Sequence, residues 1–149
     1  MEDNTLSIER LNKFLKGIHM GATTFKDYLD KAESSELKEV LVKIIESFKK
    51  HEEAITHRIE DMGGDAADSI GIGGMFGEFF EKLKLMMVDS DKEIIEKAIN
   101  AIDMGIEQGK KFIDENKELP NTLMSDVKGV FKDYDNHLRE LQNLQSKMV

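Results

Sequence analysis

The chain has no cysteine. That excludes a disulfide framework, an iron–sulfur cluster and any thiolate zinc site, and it fits a reducing cytoplasm, the expected location. There is one proline, no tryptophan, and only two tyrosines beside eight phenylalanines. Runs of β-branched and aromatic residues with period two are missing, so sheet architectures are disfavoured. No apolar run approaches the roughly 18 residues of a membrane span. The first residues, Met1-Glu2-Asp3-Asn4, are acidic and polar and do not read as a secretory signal. A basic excess is also lacking. Lys and Arg number 21 against 30 Asp and Glu, for a net charge of −9. Nucleic-acid binding is not expected, because neutralising phosphates needs a clustered basic face. The lysines instead alternate with glutamates at helical spacing, as on solvated helix faces.

What remains is an all-α pattern in a chain of 149 residues, a length that suits one domain. Four amphipathic segments follow the 3.6-residue period. The first, about 7–33, carries Leu11, Phe14, Leu15, Ile18, Phe25 and Leu29. Ser34-Ser35-Glu36 then reads as a tight turn with a serine N-cap. The second, about 35–62, carries Leu37, Leu41, Ile44, Phe48, Ile55 and Ile59, and Gly63-Gly64 stops it. The third, about 90–117, carries Ile94, Ile95, Ala98, Ile102 and Ile106. It begins after an Asp89-Ser90-Asp91 cap and ends at Leu119-Pro120-Asn121. The fourth, about 121–147, carries Val127, Val130, Phe131, Tyr134, Leu138 and Leu141. Short turns make each consecutive pair an antiparallel hairpin.

The stretch 63–89 differs. It holds more than half of the chain's eleven glycines. Its second half contains Phe76, Phe79, Phe80, Met86 and Met87 and is predicted to form a short helix. A link of this length spans a helix of about 25 residues, roughly 38 Å. Two hairpins joined by one long crossover make the ferritin-like arrangement rather than a simple up-down-up-down bundle. An internal repeat supports it. His19-Met20-Gly21 through Asp30 aligns with Asp103-Met104-Gly105 through Asp114, and Phe48-Lys49-Lys50-His51 aligns with Phe131-Lys132-Asp133-Tyr134. The apolar phases agree in both alignments.

The Met-Gly steps of the first and third helices, the Glu60-Asp61-Met62-Gly63-Gly64 helix end and the crossover run Gly71-Ile72-Gly73-Gly74 carry a resemblance. On these residues the whole chain resembles a bacterial ferritin-like family catalogued as a domain of unknown function. The resemblance implies a ferritin-like four-helix bundle, and it suggests a place in stress or sporulation physiology.

Ferritin-like di-metal centres use a Glu from each of two helices and a Glu-x-x-His from each of the other two, all facing inward. This sequence departs from that pattern. The midpoint of the first helix reads Gly21-Ala22-Thr23, with no carboxylate. The second offers His51-Glu52-Glu53, the third Gly105-Ile106-Glu107, and the fourth Tyr134 and His137, with tyrosine where Glu is needed. The ligand candidates are therefore His51, Glu53 (or Glu52), Glu107 and His137. Iron, manganese or zinc would be the cations for such a set. The residues favour a decayed site that holds no cofactor and performs no catalysis. His51 is expected to be a core histidine bonded to Tyr134.

Three decoys fall away. His51 and His57 are six residues apart, whereas a zincin pair needs four. Gly71-x-Gly73-Gly74 has no strand before it and no Gly-Lys-Ser/Thr after it. No serine sits in a nucleophile elbow.

Three readings stay open. In the first, a non-enzymatic ferritin-like protein acts through binding or self-association, with a dimer as the expected form. In the second, a metal-binding or redox-active bundle uses an irregular site. In the third, an adaptor docks a partner through Phe79, Phe80 and Met86.

Overall fold

A computed structural model describes residues 4–67 and 90–148 of the chain. Four helices are present among these residues: α1 (Thr5–Lys31), α2 (Ser35–Asp61), α3 (Asp91–Glu115) and α4 (Asn121–Lys147). None is long and apolar enough to cross a membrane. The predicted crossover helix, with Phe76, Phe79, Phe80 and Met86, lies outside the described residues.

The ends of α1, α2 and α3 have local causes. Ser34 takes an extended conformation, and its hydroxyl accepts from the Leu37 backbone N–H. Ser90 does the same for Glu93 N–H. Such caps are each worth about 1 kcal/mol. The extended Ala32 ends α1 two residues short of the expected Glu33, because the chain needs that space to enter the Ser34 cap. At the end of α2, Gly63 donates to the Glu60 carbonyl (2.9 Å) and Gly64 to the Ile59 carbonyl (3.0 Å). Gly63 has φ +84°, the left-handed conformation this two-bond stop requires. At the end of α3 the Asn116 side chain donates to the Phe112 carbonyl (2.7 Å).

The helices pack as two hairpins, α1 with α2 and α3 with α4. The hairpins face each other so that α1 lies antiparallel to α3 and α2 to α4. Contacts along each seam fix this arrangement. On the α1–α3 seam, Arg10 pairs with Glu118 at one end. At the other end the Asp91 carboxylate accepts from the backbone N–H groups of Glu33 and Ser34, each at 2.9 Å. Those two bonds, led by the one from Glu33, hold the Asp91 carboxyl below its ordinary range. On the α2–α4 seam, Arg58 pairs with Asp126 (2.7 Å) and His51 with Asp133 (2.6 Å). Partly exposed pairs of this kind set register more than stability, each contributing about 0–1 kcal/mol.

Stability comes from the apolar stripes between the helices. Leu11, Leu15, Leu37, Leu41, Ile44, Val127, Val130 and Leu141 are fully buried. A large side chain buried in this way contributes roughly 1.5–3 kcal/mol.

Candidate functional site

All seven aromatic residues in the described part of the chain form one ladder through the bundle. It runs Tyr28, Phe25, Phe48, Tyr134, Phe131, Phe14, Phe112, with successive ring centroids between 5.1 and 5.5 Å apart. Tilted and edge-to-face geometries dominate, the arrangement that aromatic quadrupoles favour. Phe48 and Tyr134 meet at mid-bundle, one from each hairpin, and the His137 ring lies beside both, at 6.3 and 6.5 Å. Helix spacing explains this meeting. Phe48 on α2 and Tyr134 and His137 on α4 occupy inward positions one turn apart, and Gly21 and Gly105 face them from α1 and α3. A Cβ on Gly21 would meet Phe48 Cζ at 2.9 Å, and one on Gly105 would meet Tyr134 Cε2 at 3.1 Å. The glycines are the notches in which the rings sit.

This is the layer in which a di-metal centre would need carboxylates. Among the described residues no Asp or Glu is buried; the buried polar side chains are Thr24, Asn116 and His137. Nor do any three His, Cys, Asp or Glu side chains there gather closely enough to hold a metal ion. The four sequence candidates fall in different places. Glu53 and Glu107 are exposed on the outer faces of α2 and α3. His51 is half-buried and donates through Nε2 to Asp133 Oδ2. Its partner is therefore Asp133, not the expected Tyr134. The tyrosine is turned into the ring ladder, while Asp133, one residue earlier, faces α2. His137 is 7% exposed, and its Nε2 has no hydrogen-bond partner. As placed, the described residues do not fit a di-metal carboxylate centre.

Electrostatics follow burial. His137 has its pKa lowered, chiefly because burial penalises the charged ring. The His51 charge adds to that lowering, and Asp133 and Glu140 oppose it. Burial raises the Tyr134 phenol well above its ordinary value, and the nearby Glu52 carboxylate adds to the rise. The Tyr28 phenol is pushed up to about 12, again mainly by burial. Burial thus favours the uncharged form of all three groups.

Sequence reasoning missed a second polar cluster. His19 Nδ1 bonds Glu52 on α2, and its Nε2 donates to the Ala67 carbonyl (2.7 Å). Asn12 completes the arrangement. Its amide donates to the Asp65 carbonyl (2.9 Å), and its oxygen accepts from Ala67 N–H (2.7 Å). Two α1 side chains seven residues apart thus hold the backbone just after α2. Their spacing of two turns was the available signal.

Helix order, seam geometry and the inward layer define a ferritin-like four-helix bundle. The chain belongs to the family described as a domain of unknown function, DUF2383, whose profile matches residues 7–115. Two solved structures share the fold. One is a ferritin-like, diiron-carboxylate protein from Bacillus anthracis, 19% identical, with a TM-score of 0.72 over 97% of this chain and 99% of that one. The other is a dodecameric thioferritin, a bacterioferritin-related protein from Bacteroides fragilis. It is 12% identical, with a TM-score of 0.75 over 98% of this chain and 88% of that one. No curated protein matches the chain.

Proposed function

We propose that this chain is a non-catalytic ferritin-like protein whose di-metal site has decayed and which acts by binding and self-association. One observation carries the reading: the mid-bundle layer is filled by Phe48, Tyr134 and His137, and no described Asp or Glu is buried. Bridging two cations needs several inward carboxylates, and the rings occupy the space those would take. Self-association draws support from the dodecameric neighbour.

A second reading rests on His137. Its Nε2 is buried and unpartnered, and the His51 charge adds to the lowering of its pKa. Glu53 and Glu107 would have to turn inward to complete an irregular site with these two histidines.

Metal stoichiometry separates the two. The purified protein is loaded anaerobically with Fe(II), Mn(II) or Zn(II), desalted, and its ions counted per chain, for wild type and His137→Ala. No retained ion is the expected result. One ion, lost in the variant, selects the second reading; two ions, lost in the variant, overturn the proposal. Sedimentation of the same samples reads the oligomeric state, for which a dimer or larger assembly is expected.

A further inference from the structure

Between α1 and α3 lies a cavity of about 130 Å³. The two helices touch at the ends of their seam, through Phe14 against Phe112 at one end and Asp91 against the α1–α2 turn at the other. In between, their facing sides carry Gly17, Gly21, Gly105 and Gly109, which leave the seam open. The floor is made by the ring ladder, and six of its seven rings line the space. The mouth is polar, with exposed Lys13, Lys111 and Glu115 at its rim.

One polar group of the interior is buried and unpaired. Thr24 lines the cavity, is 5% exposed, and its Oγ1 is buried without a hydrogen-bond partner. A buried hydroxyl left unpaired is costly, and native interiors rarely tolerate one. A partner supplied from outside the chain would satisfy it. Size, wall chemistry and this unpaired hydroxyl together restrict what fits. A cavity of about 150 Å³ lined by apolar side chains takes up one benzene ring. Walls built of ring faces and edges favour a flat aromatic guest over a branched aliphatic one. The unpaired Thr24 hydroxyl matches one hydroxyl on the guest.

We propose that the α1–α3 cavity binds a small monocyclic aromatic molecule bearing one hydroxyl group, its ring against the aromatic ladder and its hydroxyl paired with Thr24 Oγ1. The proposal deepens the reading of this bundle as a binding protein. It does not depend on metal retention, so ion counting and ligand binding fail separately.

Phenol and toluene are the probes, since they match in size and differ in the hydroxyl. Titration calorimetry of the full chain is expected to show one phenol per chain, with affinity on the order of millimolar for so few atoms. Toluene should bind about tenfold more weakly, because it leaves Thr24 unpaired. In Thr24→Val, which keeps the side-chain shape, the preference for phenol should vanish while toluene binding persists. Ala101→Leu, which fills the cavity from α3, should abolish both. Nuclear Overhauser contacts from the phenol ring to the Met20 and Met104 methyl groups locate the guest in wild type, so the site is tested even if Ala101→Leu does not fold. Absence of saturable binding overturns the proposal. So does equal affinity for the two probes in wild type, an undiminished phenol preference in Thr24→Val, or ring contacts elsewhere.

Discussion

The two hairpins carry the same repeat and put it to different use. Phe25 on α1 and Gly109 on α3 are equivalent positions, as are Phe48 on α2 and Phe131 on α4. In the first hairpin a ring meets a ring, with Phe25 and Phe48 centroids 5.5 Å apart and both side chains fully buried. In the second, Phe131 leans into the place where a side chain on residue 109 would begin. A Cβ there would lie 2.1 Å from Phe131 Cε1. Phe131 stays half-buried and borders the cavity. The polar equivalents diverge as well. His51 reaches across to Asp133, whereas its counterpart Tyr134 is buried in the ladder. Both hairpins border the cavity, the first with the paired rings of Phe25 and Phe48 and the second with Gly109 and Phe131.

Phe48→Ala breaks this comparison most severely. Phe48 touches Phe25, Tyr134 and His137 at once. Its loss is expected to cost about 3–5 kcal/mol by urea unfolding. Phe131→Ala, at the equivalent but half-buried position, should cost about half as much. Equal losses would mean that the two hairpins are packed alike.

Gly109→Ala is next. The clash with Phe131 costs about 1–3 kcal/mol, offset in part by the better helix propensity of alanine. Gly129→Ala is the internal control, since nothing lies within 4 Å of its added Cβ. It should stabilise by about 0.5–1 kcal/mol. Thermal melts of the two variants should therefore move in opposite directions, and parallel shifts would sink the account of Gly109.

The smallest effect concerns His137, which the first hairpin lacks, its equivalent there being Ala54. Its folded pKa lies below the ordinary 6.5. Above that pH the ring is neutral in both states and contributes no pH dependence. As pH falls below 6.5 the unfolded chain takes up a proton that the folded chain refuses, so stability declines until the folded pKa is passed. His137→Leu removes both the titration and the unpartnered nitrogen. It should gain about 1 kcal/mol at neutral pH, with a margin over wild type that widens as the solution is acidified. A margin that stays constant from pH 8 to pH 5 would contradict the assignment.

The bundle was legible in the sequence because apolar period, serine caps and the glycine stop all point the same way. Leu11, Phe14, Leu15 and Ile18 could sit inward only on a helix, and Gly63 could end α2 only by turning left-handed. The ferritin-like topology was legible through the crossover's length. The inward layer at mid-bundle was legible in part. Gly21, Gly105 and Tyr134 occupy inward positions where carboxylates would be needed, and the structure keeps them there. Distances between helices were not legible, because periodicity fixes a face and not its partner. Hence His51 was matched with Tyr134 when rotation of α4 brings Asp133 into reach. Thr24 was passed over for a similar reason. On sequence it is one hydroxyl on a helix, and it gains meaning only from the opening beside it. The i,i+4 glycine pairs on α1 and α3 were the sign of that opening.

The stop at Gly63 also sets a ruler. Counting from its left-handed turn, Asp65 and Ala67 arrive opposite Asn12 and His19 at the only spacing that lets three hydrogen bonds to α1 close together. One residue more or fewer between Gly63 and Ala67 would carry the carbonyl of residue 67 out of reach of the His19 ring. The side chains of Asp65 and Ala66 take no part in those bonds. Over evolutionary time this short stretch should therefore accept changes of letter readily and changes of length hardly at all.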